Sequence, residues 1–171
     1  YFQRYNLMNK FSLGYAINYI EYSDMFFIDW YYGEAVYAPM YFGYGDVGQY
    51  ADRRKLARVM DASVLKRIPD TVLVLLRAKP EVIKKRFREA KSPFPNRHGA
   101  TPFKEEDAEV VLERFEEEYQ NSLLTYKFDL DTTDASENET LDEFVRKMKP
   151  HITPEDRLRM LTRDRGFTEE A

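Results

Sequence analysis

The sequence predicts an α/β fold built on a parallel sheet, and three observations carry that expectation. Short runs at Met25–Asp29, Thr71–Leu76 and Lys127–Asp131 have the length and content of buried strands. Amphipathic stretches separate them, and strands that alternate with helices imply right-handed crossovers and parallel pairing. The middle run, Thr71-Val72-Leu73-Val74-Leu75-Leu76, is aliphatic without interruption, as in a strand covered on both faces.

The remaining elements follow in chain order. Leu7, Phe11, Tyr15, Ile17 and Ile20 fall at roughly helical spacing and predict a helix over about 2–22. Tyr1-Phe2-Gln3 reads equally as the remnant of a protease-site tag and as ordinary aromatic-rich sequence. Gly33 to Tyr41 predicts a short helix cut at Pro39, and the glycines between Gly43 and Gly48 predict a loop. Tyr50 to Ile68 reads as a charged amphipathic helix with Leu56, Val59, Met60, Val64 and Leu65 inward, broken by Pro69-Asp70. Pro80 suits the first turn of a helix running to about Ala90. The proline-broken stretch Lys91–Phe103 predicts an irregular excursion, and Thr101-Pro102 opens the longest helix with Thr101 as N-cap. Ala108, Val111, Leu112, Phe115 and Tyr119 make that helix's buried stripe, while its glutamates predict a solvated face. Asp134–Glu139 predicts a polar loop or cap before a helix marked by Leu141, Phe144, Val145 and Met148, which Pro150 stops. Thr153-Pro154-Glu155 caps a last helix. The expectation is one domain over residues 1–163 and a frayed tail over 164–171. Three strands are few for a parallel sheet, so at least one more strand is expected on the N-terminal side.

Composition narrows the function. The chain has 171 residues, 43% hydrophobic, enough for a real core. Its 33% charged content is mixed in sign with a net charge of −4, which argues against nucleic acid as a partner. No apolar run approaches the ~20 residues of a membrane span, so no membrane partner is expected and the predicted location is cytoplasmic. The absence of cysteine removes disulfides, thiolate metal sites and thiol nucleophiles together. His98 and His151 stand alone, without metal-ligand spacing.

The richest segment is Met25-Phe26-Phe27-Ile28-Asp29-Trp30-Tyr31-Tyr32-Gly33-Glu34-Ala35-Val36-Tyr37. An apolar run ends in a carboxylate, and tyrosines and a Gly-Glu follow at once. Ligands of parallel sheets sit outside the carboxyl ends of the strands, so an acid and aromatics there predict a small-molecule site. No Gly-x-x-x-x-Gly-Lys-Ser/Thr loop occurs in the chain, so only half of a phosphate-handling site is visible. For Asp29 the plainer alternative is a cap of the next helix, and for the tyrosines it is packing.

Five pieces in order carry a resemblance: Ile28 to Tyr37, Pro69 to Leu76, Pro80-Glu81-Val82-Ile83-Lys84-Lys85-Arg86, Phe115-Glu116-Glu117-Glu118-Tyr119, and Leu130-Asp131-Thr132-Thr133. Together they cover about Tyr15 to Arg159, and the chain resembles the P-loop nucleoside and nucleotide kinases, most closely the thymidylate kinase-like group. The resemblance implies a three-layer, parallel-sheet P-loop kinase-like core with a helical lid, here Lys91–Phe103, whose N-terminal strand and phosphate-binding loop would lie before Tyr1. It implies transfer of the γ-phosphate of ATP to a (deoxy)nucleoside monophosphate such as dTMP, with ATP and Mg²⁺ as cofactors of an intact family member and weak or absent ATP binding expected for the chain as it stands. By resemblance Asp29 lies near the metal and the transferred phosphate, and Arg86 is catalytic. Tyr31, Glu34, Tyr37 and Tyr41 form the acceptor pocket. Arg86, Arg88 and Arg97 hold nucleotide phosphates, and Asp131, Thr132 and Thr133 begin the loop beside the adenine. One departure stands out. The family's Asp-Arg pair is Asp29-Trp30 here, and a neutral indole cannot make a guanidinium's bidentate contact with phosphoryl oxygens.

Two other functions fit the same residues. A catalytically degenerate kinase fold serving as a binding or structural protein accommodates Trp30 and the missing loop, since fold and function separate readily. A nucleic-acid end kinase is disfavoured, because the aromatics near Asp29 lack neighbouring Lys or Arg. The aromatic N-terminal helix also predicts a possible homodimer.

Overall fold

A computed structural model describes Gly14 and residues 25–89 and 103–166, with side chains to Leu161. The described residues form six α-helices and two strands in the order α1 (Trp30–Tyr41), α2 (Arg53–Arg67), β1 (Val72–Arg77), α3 (Pro80–Glu89), α4 (Ala108–Asn121), β2 (Tyr126–Asp131), α5 (Glu137–Met148) and α6 (Pro154–Gly166). Single 3₁₀ turns at Glu105–Asp107 and Lys149–His151 lead into α4 and out of α5. The fold is mixed α/β, as expected. The helix expected over 2–22 apart from Gly14, the lid apart from Phe103, the cap Thr101 and the end of the tail lie outside the described residues. The last helix reaches Gly166, past the predicted start of the tail.

β1 and β2 pair in parallel, from Val72 opposite Tyr126 to Arg77 opposite Asp131. Neighbouring residues on a strand point to opposite faces, and the contacts of β2 show what covers each. Lys127 donates to the carbonyls of Tyr119 (3.0 Å), Gln120 (3.2 Å) and Ser122 (3.3 Å) at the end of α4. Phe128, the next residue, meets the Phe144 ring of α5 at 6.1 Å and stacks on His151. Thus α4 and α5 lie against opposite faces of the pair. Cover is incomplete, however. Leu76 is 64% exposed, so β1 is not buried on both sides as its aliphatic run predicts.

Met25–Asp29 is not a strand, which corrects the third strand of the sequence reading. Residues 25–27 have no regular structure, and the chain then turns sharply at Asp29. There φ is 59° and ψ −45°, and the amide of Trp30 donates to the carbonyl of Ile28 at 2.6 Å. That is a γ-turn of the positive-φ kind, a rare and strained conformation. A strand needs φ near −120°. The apolar run also misled because burial does not follow it: Phe26 is 82% and Ile28 89% exposed.

The core joins α1, α2 and the loops beside β1 and β2. Tyr31, Tyr32 and Ala35 meet Ala57 and Val64 of α2, together with Ile68 and Leu124. α1 begins earlier than predicted and carries Pro39 inside it; the last turn survives because Phe42 still donates to Ala38 at 3.1 Å. α2 begins at Asp52, whose carboxylate accepts from the amides of Lys55 and Gly48, both at 3.0 Å. Val59, expected inward, is exposed.

Gly45 sets the path between α1 and α2. Its φ is +79°, and its carbonyl accepts from Arg53 at 2.8 Å. A Cβ there would stand 2.3 Å from Arg53 Cγ. Gly45→Ala is therefore expected to lower stability by about 2 kcal/mol, left-handed strain and displacement of Arg53 acting together. Urea unfolding measures it.

Of the loop or cap expected over 134–139, the structure makes a cap for α5. Ser136 Oγ accepts from the Glu139 amide at 3.3 Å, and the Glu139 carboxylate accepts from the Ser136 amide at 2.8 Å. These bonds hold the Glu139 carboxyl below its ordinary value of 4.5, the Ser136 amide contributing most. A depressed carboxylate stabilises the fold above its unfolded pKa and loses that contribution as pH falls through the folded value. Hydrogen-exchange protection at the start of α5 should therefore weaken below about pH 4.5. Ser136→Ala should cost about 1 kcal/mol at neutral pH.

Candidate functional site

Three groups of polar residues are candidates for a site, and the first is the most buried. Asp61 on α2 is 0% exposed and Glu118 on α4 is 1% exposed. Asp61 accepts from the hydroxyls of Tyr31 (2.7 Å) and Tyr32 (2.5 Å) and from the amide of Leu123 (2.9 Å). Arg58 Nε lies 3.3 Å from its other oxygen. Arg58 also reaches Glu118 at 2.8 Å, and Arg54 reaches Glu118 at 2.6 Å and Glu117 at 2.7 Å. Tyr32 shares a further 2.7 Å hydrogen bond with Ser122. Burial drives both tyrosine hydroxyls well above their ordinary pKa, so they remain donors at any physiological pH. Every charge in the junction has an opposite partner, so it locks α1, α2 and α4 together rather than presenting reactive groups.

The second group surrounds the turn at Asp29. Its side chain packs over Gly33, where a Cβ would come within 2.9 Å of Asp29 Cβ. Asp29 makes no side-chain cap bond to α1, which removes the plainer explanation for the residue. Although the residue is exposed, loss of hydration at the carboxyl raises its pKa above the ordinary value. Tyr37 lies close by, its ring 3.8 Å from where that Cβ would stand, and burial together with the Asp29 charge pushes its hydroxyl up to about 12. Trp30 stacks on Phe27 with ring centres 4.3 Å apart, and its buried indole N–H has no partner among the described residues.

The remaining acceptor-pocket candidates are distributed along α1. The Tyr31 hydroxyl is committed to Asp61 as described. Glu34 lies at the α1–α2 boundary, 3.5 Å from Arg53, and burial raises its pKa. Tyr41 donates to Asp107 at 2.8 Å, and its pKa rises to about 12, chiefly through burial. Tyr37 and Phe115 meet edge to face at 5.5 Å. Asp29 and Tyr37 are thus together, whereas Tyr31 and Glu34 engage α2.

The third group assembles at the carboxyl ends of the strands. Arg86 on α3 donates to Thr132 Oγ1 at 2.7 Å and to the Thr132 carbonyl at 2.5 Å. The Thr132 amide continues the strand pairing by donating to Arg77 at 2.8 Å. Thr133 accepts from the Lys79 amide at 3.0 Å and donates its own amide to Asp131 at 2.9 Å. Bonds from Thr133 hold the Asp131 carboxyl below its ordinary pKa. Arg86 is held by neutral oxygens alone; among the described residues no carboxylate pairs with it, so its charge is available to an anion. Arg88 instead meets Glu105 at 3.1 Å. Arg97 lies outside the described residues.

A groove of about 520 Å³ opens on the α4 face between Leu75, Arg77 and Asp129 and the α4 residues Glu113, Glu116 and Tyr119. Carboxylates dominate its wall, which suits a phosphate poorly. A resident Mg²⁺ usually takes one or two carboxylates besides phosphate oxygens. Asp29 offers one, its carboxyl raised above the ordinary value by burial. Among the described residues no group of three acids or histidines converges on a metal position.

Sequence reading missed Asp61, Glu118, Arg54 and Arg58. One signal was present: Arg53, Ala57, Asp61 and Val64 recur at spacings of four, four and three, a helical stripe that carries charge. Among the described residues no helix is long and apolar enough to cross a membrane. No protein-family model matches the chain, and no curated protein or solved structure matches it significantly.

Proposed function

We propose that this chain is the nucleotide-handling core of a P-loop-type kinase, similar to the thymidylate kinase-like group, with helices layered on both sides of a parallel sheet. Its reaction passes the γ-phosphate of ATP to a (deoxy)nucleoside monophosphate such as dTMP. An acceptor phosphate oxygen attacks the γ-phosphorus, the bond to the β–γ bridging oxygen breaks, and ADP leaves. Such transfer depends on positioning and on neutralising oxygen charge. The observation that carries the reading is the strand-end group. Arg86 on α3 meets Thr132, beside Asp131 and Thr133 at the end of β2, where parallel sheets take their ligands. In this role Arg86 faces the nucleotide phosphates, Thr132 and Thr133 shape the edge beside the base, and Asp29 with Tyr37 contacts the acceptor.

The test uses the native polypeptide with magnesium, ATP and dTMP, following ADP release. Turnover is expected, and Arg86→Ala should raise the KM for ATP about tenfold or more. If the native polypeptide shows no turnover and no ATP binding, the reading is overturned. ATP binding without turnover selects a second one, a nucleotide-binding or structural protein on the same fold. That alternative is favoured by one observation: Asp29 stands on an exposed turn instead of a strand end, next to Trp30 in the arginine place.

A further inference from the structure

One residue aims Arg86. The arginine donates from Nη1 to Thr132 Oγ1 at 2.7 Å and from Nη2 to the Thr132 carbonyl at 2.5 Å, so both bonds leave from the tip of the guanidinium. The Thr132 hydroxyl has a single proton, and it goes to the Arg77 carbonyl at 3.1 Å. Toward Arg86 the hydroxyl is therefore an acceptor. The Thr132 amide donates to the same carbonyl at 2.8 Å, which anchors Thr132 twice to the last residue of β1. A guanidinium carries five N–H groups in a rigid plane. Thr132 takes two of them. Among the other three, Nε–H and the outer hydrogen of the neighbouring Nη run parallel, a second fork of the kind that holds two oxygens of one phosphoryl group.

The neighbouring charges leave that fork alone. Asp131 directly precedes Thr132, yet its Oδ1 accepts from the Thr133 amide at 2.9 Å. Arg77 is committed to Asp129 at 2.9 Å. Arg86 itself is an exposed residue of α3, where a long side chain otherwise samples many rotamers. Fixing its tip beforehand reduces the ordering that an incoming anion must bring about. We propose that Thr132, besides bordering the base, is a positioning residue: it clamps the tip of Arg86 so that the side fork faces the phosphates of a nucleoside triphosphate. This deepens the kinase reading and rests on it.

The test measures the Kd of magnesium-ATP by calorimetry for the native polypeptide, Thr132→Val, Thr132→Ser, Arg86→Ala, and Thr132→Val combined with Arg86→Ala. Valine keeps the branched shape and removes the hydroxyl, while the Arg77 carbonyl retains the Thr132 amide, so the fold should survive. Thr132→Val is expected to bind about fivefold more weakly, the worth of one net hydrogen bond, and Thr132→Ser within about twofold of the native affinity, since the hydroxyl is kept. With Arg86→Ala in place, valine should change nothing further, because Thr132 acts through that side chain. Native affinity in Thr132→Val overturns the proposal, and so does an equal loss with and without Arg86. Arg86→Lys gives a second measurement at an exposed position, where folding is not at risk. An ammonium has no planar fork with which to hold Thr132 and a phosphoryl group together. Binding about fivefold weaker or more is expected, and native affinity there also overturns the proposal. A native polypeptide that binds no magnesium-ATP removes the kinase reading and this inference with it. Native binding that Thr132→Val leaves unchanged removes this inference alone.

Discussion

Asp61→Ala is expected to lower stability by about 3–5 kcal/mol, the cost of breaking a buried ionic network by removing one partner. The carboxylate receives two tyrosine hydroxyls and the Leu123 amide and faces Arg58, with no access to water. Alanine leaves the Leu123 amide unsatisfied and Arg58 with half its compensation, while Tyr31 keeps only its contact with Tyr32, and Tyr32 keeps Ser122. Domains are stable by only about 5–15 kcal/mol, so this substitution should leave little margin. Trp30, the single tryptophan, sits on α1 and reports unfolding in urea by its fluorescence. Asp61→Asn, which retains one acceptor oxygen for the tyrosines, should lose less. A loss below about 1 kcal/mol for alanine, the level of an exposed pair, would mean that the junction does not hold the three helices together.

Asp29→Gly should move stability and activity in opposite directions. Glycine relieves the backbone strain at φ 59°, a gain of about 1–2 kcal/mol. It also removes a carboxyl whose raised pKa weakens the fold: such a group is easiest to bury protonated, so its burden appears as pH rises above its unfolded value near 3.8. Phosphoryl transfer, by contrast, should fall at least ~100-fold, as when a positioned polar group is lost from a transition-state complex. Strain at a non-glycine residue persists where the surroundings or the function demand it. A variant that is both more stable and fully active would make the turn an accident of packing, and Asp29 would leave the site.

The parts of the fold legible in the sequence are those fixed by local chemistry. The aliphatic run of β1, Pro80 at the head of α3, and Ser136 with Glu139 before α5 each state their structure within a few residues. Met25–Asp29 failed because four apolar residues before an aspartate have no intrinsic way to declare whether a partner strand lies beside them. Its geometry is decided by the turn at Asp29 and the stacking of Phe27 on Trp30. The buried Asp61–Glu118 junction was hidden for another reason. Hydropathy assigns charged residues to solvent, and only the pairing of α2 with α4, through Arg54 and Arg58, makes them interior. By resemblance Arg86, Asp131, Thr132 and Thr133 all serve the nucleotide; in the fold Arg86 reaches Thr132, and Thr133 reaches Asp131. Arg88 was grouped with them too, yet turns to Glu105.

The most direct measurement is the melting temperature of the native polypeptide with and without magnesium-ATP, alongside Arg86→Ala. A ligand that binds only the folded state at 100 times its Kd adds about 2.7 kcal/mol, so a rise of several degrees is expected for the native residue and a much smaller one for alanine. An unchanged melting temperature at millimolar magnesium-ATP, or an equal rise in both proteins, would contradict a nucleotide site at the strand ends.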